Sequence, residues 1–113
     1  MAGIKRGGLK MENKTVYVAG KISGNENYLT DFENAVNKLK AQGYERILNP
    51  CCLPSNLEYE QYMIICFAMI DAADVVFFQK NWKGSAGAER EEKYAISKCK
   101  QRVYEGDCSS ELL

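Results

Sequence analysis

Two short apolar runs limit most what this chain can become. Thr15-Val16-Tyr17-Val18-Ala19 and Val75-Val76-Phe77-Phe78 are apolar throughout instead of alternating with polar residues. A strand wet on one face alternates, whereas a continuous apolar strand is covered on both sides, as in parallel sheets. Stretches of helical period separate these runs. Leu29, Phe32, Ala35, Val36 and Leu39 share a helical face over 28–42, and Gly43 supplies the stop. Leu57 to Ala72 is helical again and apolar on most sides, which predicts burial on two faces, one of them against a second subunit. A third helix spans Trp82 to Lys98, and Ile47-Leu48 and Arg102-Val103-Tyr104 add short strands. Strand and helix alternate along the whole chain. The prediction is an α/β, three-layer Rossmann/flavodoxin-like fold, with a mainly parallel sheet of four to five strands and helices on both faces.

With 113 residues the chain makes one domain, placed at 14–105. Residues 1–13, basic and glycine-rich, read as a disordered N-terminal extension, and 106–113 as a frayed tail. Fifteen basic residues balance fifteen acidic ones, so bulk charge gives no case for a nucleic-acid polymer or an anionic membrane as partner. No apolar run approaches the roughly 20 residues needed to cross a bilayer. The N-terminus lacks the apolar core of a signal peptide, and an odd count of five cysteines favours reduced thiols, so a cytoplasmic setting is expected. There is no CxxC pair and no histidine, hence no metal site is expected, and no Ser-His or Cys-His device is available. Chemistry must use carboxylates, tyrosine, cysteine or backbone groups.

The stretch Trp82–Ala95 is the strongest candidate to provide it. A small, flexible run, Gly84-Ser85-Ala86-Gly87-Ala88, leads into a helix with Ser85 as N-cap. Ala88, Ala95, Ile96 and Cys99 mark the face expected to pack inward. Glu91, three residues after Ala88 and four before Ala95, lies along that face, and so does Glu92 by its own spacing. Glu89 sits one turn before Lys93 and reads as a solvent-exposed pair. Acidic residues also favour helix N-termini for purely structural reasons, so spacing alone leaves both glutamates open. In parallel sheets ligands bind beyond the carboxyl ends of the strands, where strand order reverses. The loops Gly20–Gly24 and Trp82–Gly87 should meet there, although neither matches a dinucleotide or P-loop motif.

Several blocks in order, Tyr17-Val18-Ala19-Gly20 with Ile22-Ser23-Gly24, Asn49-Pro50, Tyr62-Met63, Ala73-Asp74-Val75-Val76, Trp82 and Ser85-Ala86-Gly87-Ala88-Glu89-Arg90-Glu91, resemble the nucleoside 2-deoxyribosyltransferase-like superfamily. Within it, the small branch related to 2′-deoxynucleoside 5′-phosphate N-hydrolases is most similar. The resemblance implies N-glycosidic bond cleavage or transfer on a (deoxy)nucleoside or its 5′-monophosphate, without a cofactor. It selects Glu91 as nucleophile, with Tyr17 as its orienting partner and a helix N-terminus keeping the carboxylate ionised. Gly20, Lys21, Ile22, Ser23, Gly24, Asn49, Ser85 and Gly87 would hold the substrate. Cys66 stands where characterised relatives carry an aspartate that contacts the base, and Ser23 where the hydrolases carry an arginine, for which Lys21 can substitute. It also implies a homodimer or higher homo-oligomer, here through the 57–72 helix. The alternatives are a catalytically silent nucleotide-binding module and a dimeric interaction protein.

Overall fold

A computed structural model describes residues 13–106. The expected N-terminal extension and C-terminal tail, with Cys108, lie almost wholly outside those residues. Four strands and three helices alternate: β1 (Thr15–Ala19), α1 (Tyr28–Ala41), β2 (Arg46–Leu48), α2 (Tyr59–Ala72), β3 (Val75–Phe78), α3 (Ala86–Ser97) and β4 (Gln101–Tyr104). All ladders are parallel, in the order β2-β1-β3-β4. The molecule is thus an α/β, Rossmann/flavodoxin-like three-layer fold with an all-parallel sheet.

Side-chain alternation along the two central strands builds two cores. Val16, Val18, Val75 and Phe77 meet Phe32, Ala35 and Leu39 of α1 on one face. Tyr17, Ala19, Val76 and Phe78 meet Cys66 and Ile70 of α2 and Ala95 of α3 on the other. Right-handed crossovers account for this division, because the chain reverses direction across the sheet only once, after β2.

The ends of the helices follow local chemistry. Gly43 takes φ 105° just after α1, a left-handed turn that suits glycine. The α2 helix begins at Tyr59, two residues later than Leu57, because Glu58 and Gln61 form a capping box there. Lys100 Nζ donates to the Asp71 and Ala73 carbonyls, at 3.0 and 2.8 Å, and satisfies the other end of α2. The expected third helix is divided: Trp82–Gly84 is a 3-10 turn, Ser85 is extended, and α3 starts at Ala86. Leu29 is 59% exposed, since the buried stripe of α1 begins at Phe32. Ile96 and Cys99, expected to face inward, are exposed. Ile96 lies on the flank of the Ala88–Glu91–Ala95 stripe, and Cys99 follows the helix end with φ 57°, where helical spacing no longer applies.

The order reverses between β1 and β3, and there Gly20 follows β1 beside Gln79, which follows β3. Gln79 N donates to Ala19 O at 3.0 Å. A Cβ at Gly20 would lie 2.3 Å from Gln79 Nε2 and 2.8 Å from its Cδ. The glycine is needed for this close approach. Gly20→Ala is expected to destabilise the fold by about 1–3 kcal/mol, an overpacking cost. Urea unfolding should show most of that cost relieved in a Gln79→Ala background.

Candidate active site

The loops after β1 and β3 come together at this reversal. Asn81 Oδ1 accepts from Lys21 N at 3.1 Å, and the Lys21 ammonium reaches across to within 3.7 Å of a Cβ placed on Gly84. Between these loops and the start of α2 opens a cleft of about 490 Å³. Gly20, Lys21, Ile22 and Ser23 form one rim, and Ser85 and Gly87 form another. Tyr17 and Glu91 also line it. Ser85 caps α3 as its sequence predicts, its hydroxyl accepting from Ala88 N at 3.1 Å.

Glu91 sits in the second turn of α3, on the stripe that packs against the sheet, and is 5% exposed. Its neighbour on the central strand is Tyr17, wholly buried, whose hydroxyl donates to Glu91 Oε2 at 2.7 Å. Such a short bond to a carboxylate is a strong one. Glu92 is occupied differently: it accepts from Tyr104 Oη at 2.9 Å, and Tyr104 accepts in turn from Arg102 Nε at 3.1 Å. That network joins α3 to β4 and stands outside the cleft lining. Of the two glutamates that helical spacing permits, Glu91 alone reaches the cleft. Glu89 is exposed.

Burial governs the electrostatics. Desolvation raises the Glu91 carboxyl from the ordinary carboxylate range to about 7, against the opposing hydrogen bonds from Tyr17 and Cys66. The helix N-terminus does not hold it ionised at low pH, because the field of the helix end is concentrated in the first turn and Glu91 lies beyond it. Burial and the Glu91 charge push the Cys66 thiol up to about 12. Burial first, then Glu91, also drives the Tyr17 phenol upward. In Tyr62, burial is followed by Cys66 and then Glu91 in raising the phenol. Within this cluster only Glu91 changes charge near neutrality.

Three sequence candidates lie outside the cleft lining. Gly24 turns the loop with φ 76°. Asn49 caps the 3-10 turn Pro50–Cys52 by accepting from Cys51 N at 3.0 Å. Cys66 is fully buried behind Tyr17 and Glu91, in the core of that face. The structure adds lining residues that carried no assigned role: Tyr59, Tyr62 and Met63 at the start of α2, Tyr28 and Phe32 of α1, and Cys51 and Leu53 between β2 and α2. The i, i+4 relation of Tyr59 to Met63 and of Tyr62 to Cys66 was a readable signal for the first group. Nothing local signals the others. The cleft is therefore polar at the loop rims and aromatic and aliphatic towards α1 and α2.

Residues 14–104 match the family described as "Domain of unknown function (DUF4406)", and the chain belongs to that family. No curated protein matches it. Among the described residues no helix is long and apolar enough to cross a membrane.

The raised Glu91 carboxyl ties stability to pH. Its folded-state value lies above the unfolded one, so between about 4.5 and 7 the folded chain holds the extra proton. Stability therefore declines as pH rises through that window, by on the order of 3 kcal/mol. Glu91→Gln should flatten this dependence and be more stable than the parent at pH 8, as urea unfolding at pH 5 and pH 8 will show.

Proposed function

We propose that this DUF4406 member cleaves or transfers the N-glycosidic bond of a (deoxy)nucleoside or its 5′-monophosphate, with Glu91 as nucleophile. The observation that carries the reading is one carboxylate, buried yet lining the cleft, and held by the Tyr17 hydroxyl at 2.7 Å. The resemblance to nucleoside 2-deoxyribosyltransferase-like proteins supports the same assignment.

In the ionised form, Glu91 attacks the anomeric carbon as the bond to the base breaks, and the base leaves with the electron pair. The ester formed is then opened by a second base or by water, which restores the carboxylate. Splitting one displacement into two is what a fixed carboxylate nucleophile offers. Tyr17 fixes which oxygen points at the sugar, and the surrounding protein excludes water from the other side. Gly87 lets the sugar approach the backbone, while Lys21, Ser23 and Ser85 suit a 5′-phosphate at the polar rims. The aromatic and aliphatic end towards α2 suits the flat face of a base. A second copy is proposed to cover the outer face of α2, where Ile64 is 66% exposed.

One feature favours a second reading, nucleotide binding without turnover. Cys66, which stands where the resemblance expects an acid for the departing base, is fully buried outside the cleft lining, and its raised thiol is a weak acid.

Incubation with a panel of deoxynucleosides and their 5′-monophosphates, with and without an acceptor base, separates the readings by chromatography. Free or exchanged base is expected, and Glu91→Ala should abolish it. The rate should rise with pH to a plateau above about 7, because the ionised carboxylate is the nucleophile. Saturable binding with no base released would establish the silent module instead.

A further inference from the structure

Resting on the glycosidic reading of the cleft, we infer that the Tyr59 hydroxyl and the bare face of Gly87 form a subsite for the sugar edge remote from C1′, where the phenol binds a sugar oxygen. Gly87 is the second residue of α3, and its backbone is helical, without the positive φ of Gly24 or Gly43. A Cβ placed on it would lie 3.6 Å from Met63 Sδ, 3.7 Å from Tyr59 Oη and 3.9 Å from Ser85 Oγ, all ordinary van der Waals distances. The fold therefore has room for a methyl group there, as it does not at Gly20. Alanine is also the better helix former. Neither backbone conformation nor packing calls for glycine at this position. Gly87 and the three side chains around that point all line the cleft, so a ligand in the cleft is what the missing side chain makes way for.

Helix geometry sets which part of the substrate arrives there. Glu91 follows Gly87 by four residues, so the two share a face about 6 Å apart along the axis. Helical side chains lean towards the N-terminus, which brings the Glu91 carboxylate back over the Gly87 turn. In the other direction Cys66 and Ala95 are sealed in the core. A pentose with C1′ at the carboxylate therefore extends over Gly87, and its C3′–C5′ edge meets Tyr59. The Tyr59 ring opens α2 and is steadied by the Arg90 guanidinium, 5.5 Å from its centroid and itself held by Glu60 at 3.0 Å. No strong acceptor among these neighbours competes for the phenolic proton. Arg90 only donates, the Met63 sulfur is a weak acceptor, and the Ser85 hydroxyl already accepts from Ala88 N.

Two variants test this on whichever deoxynucleoside or monophosphate of the panel is turned over fastest. Gly87→Ala should keep or raise the urea midpoint, yet lower kcat/KM by about 10²-fold as the methyl group displaces the sugar from Glu91. Tyr59→Phe should lower kcat/KM about three- to tenfold, the loss of one hydrogen bond. Analogues lacking the 3′ or the 5′ oxygen (for a monophosphate, the 5′-phosphonate) identify the bound group. On one of them Tyr59→Phe should cost nothing, and on the other the full loss should remain. A Gly87→Ala protein that is less stable than the parent, or as active, overturns the subsite. Equal losses in Tyr59→Phe on all three compounds, or no loss on any, overturn it too, and these outcomes leave Glu91 in place. If Glu91→Ala retains turnover, or the parent turns over no compound, the glycosidic reading itself fails and the subsite falls with it.

Discussion

A carboxylate enclosed between a helix and the centre of a parallel sheet is a costly object, and the arrangement around Glu91 answers to that cost. The Tyr17 hydroxyl gives it one short hydrogen bond, yet burial still outweighs the bond and lifts the carboxyl to about 7. A glutamine or a leucine on that stripe would serve packing better. The position makes physical sense when charge on that side chain is wanted at the cleft, and when a proton is to be held or released near neutrality.

The sheet order sets where such a side chain can be presented. Because β1 and β3 are central and their helices leave on opposite faces, a cleft opens beside their following loops at the carboxyl end. Lys21 and Asn81 tie the two loops to each other. Gly20 and Gln79 seal the point where the strands meet. On the other side, the aromatic turn at the start of α2 closes the cleft, and the Arg90–Glu60 pair at 3.0 Å holds α2 to α3 at the surface. Being exposed, that pair contributes little energy. The guanidinium 5.5 Å above both Tyr59 and Phe67 adds packing where the two helices face each other.

Much of this was readable before any coordinates. Continuous apolar runs announced the central strands, and Ser85 announced the start of α3 through its capping chemistry. The helical period put Glu91 on the inward face with Ala88 and Ala95. It put Ile96 and Cys99 there too, and they are exposed, because periodicity does not register where a helix ends or how wide its buried stripe is. Leu29 failed for the same reason at the other end of α1. Which of Glu91 and Glu92 lines the cleft was decided by packing: the Tyr104 hydroxyl, 12 residues on, holds Glu92 to β4.

The amino-acid order alone determined the alternation of strand and helix, the parallel sheet that follows from it, and the presence of a carboxylate on an inward-facing helical stripe. These are properties of period and local capping, which operate over one or two turns of chain. Only the tertiary structure decided that the Tyr17 hydroxyl donates to Glu91, 74 residues away, that Cys66 lies behind the cleft and not in it, and that Tyr62 lines it. Those facts arise from how the helices lie on the two faces of the sheet, and desolvation, which depends on everything packed around a group, then set the charge that each one bears.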